Sequence, residues 1–152
     1  MRRPRVRDHP MVFVDSNVYF YARNHDRVFG EACDSVLADV ADGRLDAYSS
    51  VLAIAEAANA VRKVGKPAEM YEMASAITSL PVTLVDLTQA IAADGSRRAV
   101  AARGDPYDGA HVASAVSLGI RTIISTDTDM DRFEGISRLD PRDYFARRHG
   151  PR

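Results

Sequence analysis

The sequence predicts an α/β fold, a three-layer α/β/α sandwich with a mostly parallel central sheet, and three observations predict it. Two apolar runs, Met11 to Val14 and Arg121 to Thr126, have the length of buried strands and are too short for helices. Between them lie longer stretches whose apolar residues recur at helical spacing, bounded by Ser, Thr or Asp caps and by Gly or Pro stops. Strands that alternate with helices in this way build a parallel sheet covered on both faces.

In order, the run Met-Val-Phe-Val ends abruptly on Asp15, after which Ser16, Asn17 and Val18 to Ala22 open a short helix. Asn24-His25-Asp26 form a turn that caps the next helix, where Val28, Phe29, Ala32, Val36, Leu37 and Val40 share a face up to the stop at Gly43. Leu45 to Ser49 give a second strand. Ser49 or Ser50 then caps a helix to about Val64, closed by Gly65 and Pro67. A helix from Pro67 to about Leu80 carries Met70, Met73, Ala74 and Ile77 on one stripe. Pro81 ends it, and Val82 to Leu87 alternate as a strand. Thr88 caps an Ala-rich helix to about Arg103. Asp105 as N-cap and Pro106 in the first helical position start a helix to Leu118, stopped by Gly119. After the Arg121–Thr126 strand come an acidic turn over 127–131, a short strand from Ile136 to Leu139, and a C-terminal helix opened by Asp140-Pro141.

A chain of 152 residues with 46% hydrophobic and 27% charged content fits one domain with a full core. Its expected extent is residues 11–146, between a basic N-terminal tail over 1–10 (Arg2, Arg3, Arg5, Arg7) and a basic C-terminal tail over 147–152 (Arg147, Arg148, Arg152). A net charge of -1 excludes a simple cationic coat for nucleic acid. Cys33 stands alone, so there is no disulfide framework, and a small buried residue in a reducing compartment is its natural reading. No apolar run approaches the roughly 20 residues that span a bilayer, and a cytoplasmic protein with no membrane partner is expected.

Four acids carry the chemistry. Asp15 and Asp127 each end an apolar strand, where open parallel sheets place their ligand crevices. Glu56 shares a helix face with Leu52, Asn59 and Lys63, and Asp108 falls in the first turn of its helix. Taken singly, each has an ordinary structural explanation as a cap, a dipole partner or a solvated charge. His111, one turn beyond Asp108, could act as a base, although a lone helical histidine is more often packed or exposed. The cluster Asp127-Thr-Asp129-Met-Asp131 is not a calcium loop, because its sixth and twelfth positions are Arg132 and Arg138. Four carboxylates at one sheet edge would repel one another unless a hard cation such as Mg²⁺ or Mn²⁺ neutralised them. One cysteine and four scattered histidines offer no competing nitrogen or sulfur site.

Val-Asp-Ser-Asn-Val, Ser-Val-Leu-Ala-Ile-Ala-Glu, Asp-Pro-Tyr-Asp-Gly-Ala-His and Ile-Ile-Ser-Thr-Asp-Thr-Asp follow one another as they do in PIN domains. The chain resembles the VapC-type toxins, the ribonuclease half of a toxin–antitoxin pair, from about Met11 to Phe145. The resemblance implies a metal-dependent endoribonuclease with an acidic quartet at Asp15, Glu56, Asp108 and Asp127. Asp15, Asp108 and Asp127 would hold Mg²⁺ or Mn²⁺, Glu56 would orient the attacking water, and Asp129 would be a fifth member. Thr126 (or Ser125) matches the hydroxyl before the last acid, and Asn17 the polar position after the first. An aromatic often follows the last acidic pair, whereas Met130 stands here and Phe133 comes later. Arg23, Arg62, Lys63 and Arg103 are candidates for following an RNA backbone. The resemblance also implies a cognate antitoxin, for which the helices around Met70 and Met73 could offer an apolar groove, and a homodimer. Two other readings are a haloacid-dehalogenase-like phosphotransferase, which Asn17 disfavours where a second Asp is needed, and a non-catalytic PIN-like module that binds RNA or protein.

Overall fold

The computed structural model describes residues 9–150. The chain runs β1 (Met11–Val14), α1 (Ser16–Arg23), α2 (Gly30–Ala41), β2 (Asp46–Ser50), α3 (Leu52–Lys63), α4 (Met70–Ser79), β3 (Thr83–Val85), α5 (Gln89–Ala102), α6 (Pro106–Ser117), β4 (Thr122–Ile124), β5 (Ser137–Leu139) and α7 (Pro141–His149). Two 3₁₀ turns, Pro67–Glu69 and Thr128–Arg132, complete it. The five strands lie in the order β3-β2-β1-β4-β5, and every pair is parallel.

Successive side chains of a strand point to opposite faces, and β1 shows what this does at the centre of a sheet. Val12 and Val14 pack with residues of α1, α2, α3 and α4, such as Val18, Val36, Ala57 and Ile77. Phe13, between them, packs the other way with Ala99 of α5, Val112 of α6 and Met130. The sheet is therefore buried on both faces, which makes the α/β/α sandwich the sequence predicts. The chain builds outward from β1 through β2 to β3, then returns to add β4 and β5 on the other side. The reversal places the carboxyl ends of β1 and β4 side by side, where such sheets open a crevice.

Local signals set most boundaries. Asp15, Asp105 and Asp140 each accept the N–H that opens α1, α6 and α7. Asp26 accepts from Val28 and Phe29, closing the turn before α2. Ser50 accepts from Leu52, while Ser49 is committed elsewhere, donating to the Val14 carbonyl and bonding the Tyr19 hydroxyl. The stretch after Pro67 is tighter than expected, a 3₁₀ turn that becomes helical at Met70. Burial, with Asp34, Asp140 and Asp26 nearby, pushes the Cys33 thiol up to about 12, so it is a packed, unreactive group.

The domain edges need one correction. The arginines at positions 2 to 7 and Arg152 lie outside the described residues. Arg147 and Arg148 do not begin a tail, because they form the last turn of α7. Arg148 donates to Asp39 at 2.8 Å, and that carboxylate, 4% exposed, also accepts from Tyr144 at 2.5 Å and Arg44 at 3.0 Å. Burial pushes the Asp39 carboxyl up, but these three donors outweigh it and hold it below the usual range. A buried, paired carboxylate of this kind anchors the C-terminal helix to α2. Among the described residues, no helix is long and apolar enough to cross a membrane.

Candidate functional site

Asp15 is the fixed point of the site. It is 3% exposed, and Oδ1 accepts from the Ser16 N–H at 2.7 Å. Oδ2 accepts from the Ser125 hydroxyl at 2.7 Å and from the Asn17 amide at 3.0 Å. Ser125 in turn accepts from Asn17 and from the Asp127 N–H, and Asn17 accepts the Thr126 N–H. Three side chains thus join the ends of β1 and β4 and set Asp15 beside Asp127. The hydroxyl that does this is that of Ser125, fully buried, while Thr126 contributes only its backbone N–H. Asn17 serves as a bracket between strands, which gives it a use unrelated to phosphotransfer.

A cleft of about 690 Å³ opens over this bracket. Glu56, Asn59 and Lys63 line it from α3, Asp105, Tyr107 and Asp108 from the start of α6, and Asp127 and Asp129 from the turn after β4. Ser16 lines it as well, and Asp15, which is not on the lining, has a carboxylate oxygen within 4.8 Å of ligand atoms of Glu56 and His111. Glu56, Asp108, Asp127 and Asp129 thus share the cleft, and Asp15 adjoins it, its charge acting on Asp108. Asp127 caps its own turn, accepting the Asp129 N–H at 2.9 Å. Met130, where the resembled family often has an aromatic, is the fully buried residue of that turn, and Phe133 belongs to the same core cluster.

The charge of Asp108 is poorly compensated. Burial, then repulsion from Asp15, Asp127 and Asp105, pushes the Asp108 carboxyl up to about 7, with His111 opposing the rise. A carboxyl raised in the folded state stabilises the fold fully below its unfolded value near 4, and that contribution is lost as pH rises toward 7. A divalent cation that pairs with the ionised acids should restore it. Thermal melts with and without Mg²⁺ test this: the gain in Tm from Mg²⁺ is expected to be larger at about pH 8 than at about pH 5. Equal gains at both would show that repulsion at Asp108 is not what the cation relieves.

His111 is the residue that sequence reasoning undervalued. It is fully buried, as a packed histidine should be, with its ring edge-on to Phe13. It also stands among acids, for Nε2 is hydrogen-bonded to Glu56 Oε1 and lies 3.7 Å from Asp15 Oδ1. Ligand atoms of Asp15, Glu56 and His111 come within 4.8 Å of one another. Burial lowers the His111 pKa, but the bond to Glu56 and the charge of Asp15 outweigh it and raise it. The available signal was spacing, since Asp108 and His111 at i and i+3 share a helix face.

The basic candidates divide. Lys63 lines the cleft, and Arg62 next to it binds Asn59 Oδ1 through Nε and Nη2. Arg103 ends α5 in the left-handed conformation (φ 52°), and its carbonyl accepts from Arg132. Arg23 is misplaced for the proposed role. It pairs with Glu72 at 2.7 Å and Glu69 at 3.7 Å and lines a separate cavity of about 370 Å³ bounded by α1, α2 and α4. Met73 lines that cavity too but is 2% exposed and belongs to the core.

The PIN domain model matches residues 12–136 of the chain. A comparison with curated protein sequences finds no match. Among solved structures, the Mycobacterium tuberculosis toxin VapC20, described as cleaving the sarcin-ricin loop, superposes with a TM-score of 0.69 at 14% identity, over 82% of this chain and 98% of that one. VapBC2 from Rickettsia felis, bound to a promoter DNA fragment, gives 0.65 at 13% identity over 85% and 97%. FitAcB from Neisseria gonorrhoeae gives 0.63 at 16% over 87% and 99%. At such identities the likeness is one of fold.

Proposed function

The chain belongs to the PIN domain family, and from that premise we propose that it is a metal-dependent endoribonuclease, the toxin of a toxin–antitoxin pair. The observation that carries the reading is the acidic cleft at the sheet's reversal, lined by Glu56, Asp105, Asp108, Asp127 and Asp129. Crowded carboxylates suit a hard divalent cation with oxygen ligands, Mg²⁺ or Mn²⁺. When bound, such an ion supplies charge stabilisation to a phosphodiester under attack and acidifies a water.

In this reading Asp15, Asp108 and Asp127 would hold the cation, with Asn17 and Ser125 fixing Asp15 and the Thr126 N–H holding Asn17 in place. Asp129 extends the acidic rim. Glu56, whose side chain is 28% exposed, orients the attacking water. Lys63 on the cleft wall, Arg62 next to it in α3 and Arg103 two residues before Asp105 follow the RNA backbone. Without the cation the cleft repels RNA, so metal and substrate depend on one another. The cavity between α1, α2 and α4, with Leu37, Ile77 and Leu80 on its walls, is offered to an apolar segment of a cognate antitoxin. A homodimer in the cytoplasm completes the proposal.

The test is incubation of purified protein with total tRNA and ribosomal RNA. Cleavage is expected with Mg²⁺, is abolished by EDTA, and returns when excess Mg²⁺ is added. Cleavage that survives EDTA would discard the mechanism.

A further inference from the structure

We infer that His111 is a positioning residue, whose Nε2–H holds Glu56 in place for the attacking water, and that it is not a ligand to the cation. The inference rests on the nuclease reading for its consequence but on geometry for its substance. His111 is fully buried beneath the cleft, and Nε2 meets Glu56 Oε1. The other ring nitrogen, Nδ1, is buried with no hydrogen-bond partner among the described residues.

That orphan nitrogen decides between two roles. To ligate a cation, Nε2 must be bare and the ring proton must sit on Nδ1. Ligating histidines almost always give that second N–H to an acceptor, which fixes the ring and strengthens the ligand. Among the described residues no acceptor is in reach, and a buried N–H without one is costly. In the neutral ring the proton therefore belongs on Nε2, and an imidazolium carries one there as well, so in either form Nε2 donates to Glu56 and is not a bare ligand.

The cluster of Asp15, Glu56 and His111 looks like a mixed nitrogen and oxygen metal site when only distances are considered. The tautomer makes it something else. One Glu56 oxygen is tethered to the floor while the side chain still reaches the cleft. Asp15, 3.7 Å from the same Nε2, meets the imidazole through charge and makes no hydrogen bond to it, keeping its hydrogen bonds to Ser16, Asn17 and Ser125. The donor set left for the ion is all oxygen. Glu56 on α3 and Asp108 on α6 come from different helices, and the His111 bond ties them: Asp108 and His111 share a helix, and His111 grips Glu56.

The test has two arms. Electron spin-echo spectroscopy of the protein loaded with Mn²⁺ alone reads the ligand atoms and needs no RNA. Wild-type protein is expected to show no coupling from a directly bound nitrogen, and such a coupling, if lost in His111→Leu, would overturn the inference. In the second arm, His111→Gln keeps an N–H at the reach of Nε2 and His111→Leu removes it. His111→Leu is expected to lower kcat about 30-fold with KM for a short RNA unchanged, which is the scale of one charge-assisted hydrogen bond. His111→Gln is expected to recover most of that loss. A folded His111→Leu protein with normal kcat, or a folded His111→Gln protein no better than His111→Leu, would overturn it. Wild-type protein that binds Mn²⁺ and cleaves no RNA would remove the nuclease reading while the spectrum still decided which atoms bind the ion.

Discussion

Asp15→Asn is expected to lower the rate of RNA cleavage by about 10³-fold or more while the protein stays folded. A bound cation contributes several kcal/mol of charge stabilisation at a phosphoryl centre, and each 1.36 kcal/mol is a factor of ten, so losing about 4 kcal/mol gives that scale. Asn can still accept the Ser16 N–H and cap α1. Its NH2 then replaces the Oδ2 that accepted from both the Ser125 hydroxyl and the Asn17 amide, so it accepts from neither and both bonds must turn round or break. That loss is offset, because a neutral group at position 15 removes one of the charges that raise Asp108. The net effect on cation-free stability should be small, within a few degrees of Tm. Kinetics and melting then report different things. A variant that melts normally in the absence of metal, gains little from Mg²⁺ and does not cleave RNA is the expected pattern. Cleavage within tenfold of wild type would exclude Asp15 from the reaction.

What the sequence made legible is what depends on neighbours along the chain. The apolar runs, their abrupt acidic ends and the Asp-Pro helix start are local, and so the sheet, its helices and the four acids could be placed before any coordinates. What stayed hidden depends on partners far apart in sequence. Ser125 and Thr126 are equivalent as hydroxyls, and only strand parity turns Ser125 inward, where it finds Asp15 across 110 positions. His111 reads as core because it is core, and its bond to Glu56 exists only because α3 and α6 converge. Arg23 looks available until α4 brings Glu72 to it. The end of α7 looks like a basic tail until Asp39, 109 positions earlier, accepts from Arg148.

Gly109 shows the same limit, and it leads to the second large effect. Two glycines inside helices, Gly95 and Gly109, read from sequence only as weak helix formers, so on propensity alone replacing either by Ala should stabilise by about 1 kcal/mol. The packing reverses that sign. A Cβ on Gly109 would lie 2.0 Å from the Gly95 carbonyl oxygen, and one on Gly95 would lie 2.6 Å from the Ala110 nitrogen. Both obstacles are backbone, so no side chain can turn aside, and α5 and α6 must separate. Gly109→Ala is therefore expected to cost about 3 kcal/mol, at the upper end for overpacking, and to lower Tm by about 10 °C. Gly43→Ala is the control, because Gly43 has φ +72° and a Cβ there would meet nothing within 4 Å, so the substitution brings backbone strain without a clash. It should cost only about 1 kcal/mol. The consequence reaches the cleft, since Gly109 directly follows Asp108 and sits two positions before His111 on α6. A shift of that helix by part of an ångström moves a candidate cation ligand and the group that holds Glu56 together. Cleavage should fall further than the lost stability explains, even at temperatures where the variant remains folded. If Gly109→Ala melts no lower than Gly43→Ala, the close crossing of α5 and α6 is not what sets Asp108 against Asp15 and Asp127.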